Sequence, residues 1–227
     1  MRFGIRQNSP VTNRADAAAR TRRRILQAAA ELFSENGYGQ TTLHAIADRA
    51  GVSVESVGLA GPKRRLAFAA FTMAFAGHGE AFPVSGEPAY VDLTQRMPLT
   101  QAIDEYLTLL VAAIARTYRL WNALRAAADA DPRAAVMLEQ LRAERRREFE
   151  RSARTLAELA GLPHESIPLL VGEFFAIASH EVYDLLATEC GMGPADFGDR
   201  LRRQLGELIT EAGALPADPK RPAGVQP

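Results

Sequence analysis

The side chains with usable chemistry crowd the first third of the sequence. Arg20, Arg22, Arg23 and Arg24 stand almost together, and a second basic run, Lys63, Arg64 and Arg65, follows. Between them lie Thr41, Thr42, Ser53, Glu55 and Ser56, short polar groups able to bond phosphate oxygens or base edges. Residues 1–76 hold eleven Arg and Lys against five Asp and Glu; the rest holds sixteen against twenty-two, and the formal net charge is zero. A basic head on an acidic body is expected where only the head meets phosphate. Cations at the start of a helix oppose its dipole, so an external anion is expected beside these arginines. Flexible arginines such as Arg2, Arg6 and Arg14 also suit a minor groove.

Other chemistries find little support. His44, His78, His164 and His180 have no metal-ligand spacing, and adjacent residues such as His180 and Glu181 do not converge on one ion. Cys190 is the single cysteine, which leaves no disulfide framework and no thiolate cluster. The serines form no nucleophile elbow, and no glycine-rich loop cradles phosphate. No metal and no cofactor are expected, and the chain does not read as an enzyme. A minor alternative is a small helical enzyme using His180 and Glu181.

The polar groups of the head need a helical pair to present them. Leu43, Ile46, Ala47 and Ala50 repeat at helical spacing, and Gly51 follows where a helix end needs a left-handed residue. Ser53 suits the cap of a second short helix whose inner side is Val57. Ala47, Gly51 and Val57 are spaced as a helix-turn-helix requires. Val54, Glu55, Ser56, Gly58 and Leu59 are then left to face a major groove. Upstream, residues 21–38 read as a helix with Ile25, Ala29, Leu32 and Phe33 on one face, closed by Asn36 and Gly37. Downstream, Pro62 suits the first position of a further helix running to about Ala76.

The run RRRILQAAAELFSENGYGQTTLHAIADRAGVSVESV, followed by KRRL, resembles the N-terminal DNA-binding domain of TetR-family transcriptional regulators. The resemblance covers about a quarter of the chain closely. It implies DNA-binding roles for Arg24, Thr41, Thr42, Ser53, Val54, Glu55, Ser56, Gly58, Leu59 and Lys63. One departure stands out. Where family members carry a tyrosine and an aromatic pair after the Val57 position, this chain has Gly58-Leu59-Ala60-Gly61-Pro62-Lys63, one residue shorter. A tyrosine contact to phosphate is therefore missing, and Gly58 weakens its helix by ~1 kcal/mol relative to alanine.

The fold class expected is all-α, because no stretch alternates as a strand does. Residues 1–18 read as a disordered basic arm, 19–76 as the helix-turn-helix domain, 77–98 as a Gly/Pro-punctuated linker, 99–212 as a helical body and 213–227 as a disordered tail. Five body helices are expected, at about 99–118, 120–129, 132–161, 166–188 and 194–212. The longest apolar run, Leu107 to Ala115, is far short of the ~20 residues of a membrane span. With no apolar leader at the start, a cytoplasmic location is expected.

The resemblance implies an effector cavity among the body helices and a homodimer through the last two. Tyr106, Trp121, Arg125, Met137 and Phe175 are candidates for its walls. Arg145 interrupts the apolar stripe of Leu138, Leu141 and Phe149, so it must meet an anionic ligand or an internal partner such as Asp104, Glu105 or Glu173. Gly172, Ala176, Ser179 and Tyr183 line a second face of the fourth body helix and suit close approach by a partner helix. The function expected is a ligand-responsive regulator, a repressor binding a palindromic double-stranded DNA operator as a dimer and released by an unknown small molecule. The alternative is a TetR-like ligand-binding or protein-interaction module whose degenerate recognition helix no longer binds specific DNA.

Overall fold

The computed structural model describes residues 10–77 and 98–213. Residues 1–9 of the expected arm, residues 78–97 of the expected linker (His78 included) and the tail from 214 lie outside the described residues. Among the described residues the chain is helical and contains no strand. In order, the helices are α1 (Pro10–Gln40), α2 (Leu43–Ala50), α3 (Val54–Ala60), α4 (Lys63–Ala76), α5 (Leu99–Ala130), α6 (Pro132–Ala160), α7 (Ile167–Ile177), α8 (His180–Glu189) and α9 (Pro194–Gly213), with a 3-10 turn at His164–Ser166. They divide into two units, one built from residues up to 74 with 119–137, the other from 75–118 with residues from 138 onward.

Three boundaries differ from those expected, each for a local reason. Residues 10–18, expected as part of a disordered arm, are helical from Pro10, a residue suited to a first helical turn, and Ala17 to Ala19 are strong helix formers. Helices expected at 99–118 and 120–129 form one continuous helix, because no Gly or Pro stands between Leu99 and Ala130 to stop it. The helix expected over 166–188 is instead broken. Ala178 leaves helical geometry (φ −92°, ψ 40°), and Ser179 caps α8 by accepting from the Val182 amide. A serine that was read as a small packing residue is a helix cap.

The first unit is organised by α1. Ile25, Ala29, Leu32 and Phe33 are buried together with Ile46, Ala47, Val57, Leu66 and Phe71. At Gly37 the backbone turns out of the helix (φ 72°, ψ 177°), the stop that Asn36-Gly37 announces. Tyr38 then folds back and stacks on Phe33, ring centroids 5.7 Å apart. Trp121, 1% exposed, packs on Phe71 at 5.5 Å, so residues 119–137 belong with the head rather than the body. Asp131 starts α6 as read, its carboxylate accepting from the Arg133 amide at 2.8 Å.

The second unit packs Leu107, Leu110, Val111 and Ile114 of α5 with Phe149 of α6, Phe174 of α7, Tyr183 of α8 and Phe197, Leu201 and Leu205 of α9. A smaller cluster joins Ala153 and Ala157 to Ile167, Leu170, Val171 and Ala212.

Candidate functional site

The helix-turn-helix is fixed by its caps. Thr42 accepts from the Ala45 amide at 3.1 Å to start α2, and Ser53 accepts from the Ser56 amide at 3.2 Å to start α3. Between them Gly51 takes the left-handed conformation (φ 62°, ψ 44°) and closes α2. Val52 bonds back to the Ala47 carbonyl at 3.0 Å, which sets the turn angle. Val57 is fully buried, and that burial orients the rest of α3. Ser53, Glu55, Gly58 and Leu59 are exposed, Leu59 at 84%, whereas Val54 and Ser56 are half-buried. A seven-residue helix with an outward leucine is therefore presented on a scaffold that holds it from both ends.

Several residues expected at the DNA face hold the head together instead. Thr41 is buried, its hydroxyl set between the Leu32 carbonyl at 3.1 Å and the Gly37 carbonyl at 2.8 Å. It stitches the end of α1 and is turned away from solvent. Arg24 donates to the Ala50 carbonyl at 2.5 Å and the Gly51 carbonyl at 3.0 Å, neutralising the negative end of α2. Arg22 does the same for α3 through the Ala60 carbonyl at 3.1 Å. Arginines that oppose the dipole of their own helix thus complement the C-termini of two neighbours, a pairing invisible without the fold. Lys63 lies over the Tyr38 ring at 4.4 Å and donates to the Gly39 carbonyl at 3.3 Å; partial burial lowers its pKa. Arg20, Arg23 and Arg65 remain exposed. Arg49 bridges Glu31 and Glu35 of α1, and Arg64 lies 3.7 Å from Asp131.

The second unit contains a cavity of about 570 Å³, open at one side. Its wall combines Leu99, Ile103 and Tyr106 of α5, Phe149, Ser152 and Leu156 of α6, Leu170 and Phe174 of α7 and Leu205 of α9, among others. Of the residues proposed from sequence, Tyr106 lines it. Phe175 meets Phe149 edge to face at 5.1 Å, one ring behind the wall. Trp121, Arg125 and Met137 lie in the first unit and do not join this group. Ser152, Thr155 and the Leu99 end of α5 are lining residues that sequence reasoning missed as pocket walls. A serine at the inward step after Phe149 was the available signal.

Arg145 has internal partners, and they differ from those expected. Its guanidinium lies 4.7 Å over Phe175, donates to His180 Nδ1 at 3.3 Å and stands 3.9 Å from Glu181. Asp104, an expected partner, pairs with Arg202 at 2.7 Å. An arginine can only donate, so His180 Nδ1 must be the accepting nitrogen and Nε2 must carry the proton. Nε2 then donates to Thr117 Oγ1 at 3.0 Å, which donates to the Ala113 carbonyl at 2.6 Å. Burial first, and the Arg145 charge second, push the His180 pKa down to about 3. A histidine held neutral with both nitrogens occupied is poorly suited to proton transfer. No group of His, Cys, Asp and Glu suited to hold a metal occurs among the described residues. No helix there is long and apolar enough to cross a membrane.

Comparison with known proteins agrees with this geometry. Residues 25–57 match the family described as bacterial regulatory proteins, tetR family. No curated protein matches the chain in sequence. Among solved structures, a transcriptional regulator from Rhodococcus sp. RHA1 superposes with a TM-score of 0.63 at 16% identity, covering 86% of this chain and 99% of that one. A TetR-like transcriptional regulator from the same organism gives 0.60 at 19% identity, with 84% and 96% covered. A protein of Saccharomonospora viridis described as a transcriptional regulator, solved in complex with choline, gives 0.59 at 16%, with 85% and 96% covered. Helix-turn-helix spacing, family match and chain-wide superposition therefore converge: residues 25–57 carry the signature of the tetR family of bacterial regulatory proteins, and the chain has the fold of TetR-like transcriptional regulators.

Proposed function

We propose that the chain is a sequence-specific, ligand-responsive DNA-binding regulator, a repressor acting in the cytoplasm as a homodimer on a palindromic operator. The observation that carries this reading is α3, capped by Ser53, seated by Val57 and presenting Glu55, Gly58 and Leu59 outward within the tetR-family segment. Ser53, Val54, Glu55, Ser56, Gly58 and Leu59 are the proposed base-facing set, and Thr42 with exposed Arg20, Arg23 and Arg65 the phosphate set. Arg24 and Lys63 reach carbonyls of the head and serve by positioning it. Two copies paired through α7 to α9 would place two heads on one twofold-symmetric site. Small exposed residues Gly172, Ala176 and Gly206 suit close helix approach there.

The cavity is the proposed effector site. A ligand that binds one arrangement of the dimer better than the other shifts the population, and a coupling of ~1–3 kcal/mol gives a graded switch. That a protein of the same fold is solved with choline supports a small-molecule role for such a cavity.

The test is selection of bound duplexes from a random pool by the native protein, followed by salt titration of the winners. Enrichment of one palindrome with steeply salt-dependent binding is expected. Gly58 and the absent tyrosine favour a second reading, a TetR-like ligand-binding or interaction module without specific DNA binding. A pool that emerges unenriched would establish that one.

A further inference from the structure

The cavity wall has an unusual chemical composition for a site meant to hold a small molecule. None of its lining side chains carries a formal charge. Tyr106, Ser152 and Thr155 supply the side-chain oxygens, and the remainder is Leu, Ile, Ala and Phe. A charged ligand would have to shed its hydration against this wall with no counter-ion, at a cost a neutral one avoids. The neighbouring cation, Arg145, is not part of the lining and is held by Phe175, His180 and Glu181.

Ser152 adds direction to that composition. Helical hydroxyls elsewhere in the chain bond the carbonyl one turn back: Thr108 to Asp104, Thr117 to Ala113, Thr188 to Asp184 and Thr210 to Gly206. The Ser152 hydroxyl is buried and bonds nothing, although it stands in the middle of α6 and in the cavity wall. A buried hydroxyl left without a partner costs free energy, and a ligand oxygen would remove that cost.

We infer that the cavity takes an uncharged, largely apolar ligand bearing a hydroxyl or carbonyl oxygen, anchored on Ser152 Oγ. This rests on the reading of the cavity as the effector site. The aromatic rings of Tyr106, Phe149 and Phe174 also line it, so a quaternary ammonium is the rival ligand class.

Three probes of equal chain length separate these chemistries: octanol, octanoate and octyltrimethylammonium, each titrated calorimetrically into the full-length protein. Octanol is expected to bind at least about tenfold tighter than either ion. Ser152→Ala should weaken octanol roughly three- to tenfold without altering the melting curve, because one hydrogen bond is lost and no packing. Leu156→Trp, which fills the cavity, should abolish binding and so locate it. An ion that binds as well as octanol, no binding of octanol, or an unchanged affinity in Ser152→Ala would overturn the inference. Gel shifts on a selected operator read the regulator hypothesis separately. Octanol that fills the cavity yet leaves operator binding untouched would overturn the regulator hypothesis and uphold the ligand class.

Discussion

At the scale of single residues, two positions show how local chemistry was constrained. His180 is 2% exposed and accepts from a guanidinium, so its folded pKa of about 3 lies far below its ordinary 6.5. Between those values the unfolded chain binds a proton that the folded chain refuses. Stability therefore rises with pH across this window; it is intact above the unfolded value and is lost as pH falls toward the folded one. Chemical denaturation should show about 2 kcal/mol lost on this account between pH 7 and pH 5, and His180→Gln should flatten that slope. At Gly51, a Cβ would stand 2.8 Å from Arg24 Nη2, on a backbone already at φ 62°. Gly51→Ala should lower the melting temperature by about 2–8 °C, from the ~1–2 kcal/mol that a left-handed alanine costs. The glycine was legible from the sequence, since a helix end followed by Val-Ser demands one. The histidine's fate was not, because Thr117 and Arg145 reach it from helices far away in the chain.

At the scale of elements, legibility followed the strength of local punctuation. The helix-turn-helix could be placed because Thr42, Gly51 and Ser53 each mark a helix end, and all three do so in the structure. The break between α7 and α8 escaped because an apolar run continued on both sides of Ser179, and one serine is a weak stop when hydrophobic spacing persists. The cavity escaped in part for a different reason: its walls come from four helices, and their juxtaposition has no trace in any one of them. The α3 helix also allows folding and recognition to be tested apart. Leu59 is nearly fully exposed, so Leu59→Ala should leave thermal stability within about 0.5 kcal/mol of the parent. The same variant should change which duplexes a random pool yields, as measured by sequencing the bound fraction.

At the scale of the whole molecule, charge placement makes a quantitative prediction. The excess of basic residues lies in the head, but not all of it is available to phosphate, because Arg22, Arg24 and Arg49 are engaged within the protein. Arg23→Ala should reduce the slope of log affinity against log salt by about 0.9, whereas Arg24→Ala should lower head stability and leave that slope nearly unchanged. Gel shifts across a salt series, paired with melting curves, distinguish the two. Cys190 opens a route to the assembly itself. It is the sole thiol in 227 residues, it is exposed, and it sits at the C-terminal end of α8 beside the surface assigned to pairing. A nitroxide attached there gives one spin per chain with no engineering of the sequence. Pulsed dipolar spectroscopy should then return a single sharp separation from paired chains, and adding operator or octanol should displace it; uncoupled spins would mean that the chains do not pair.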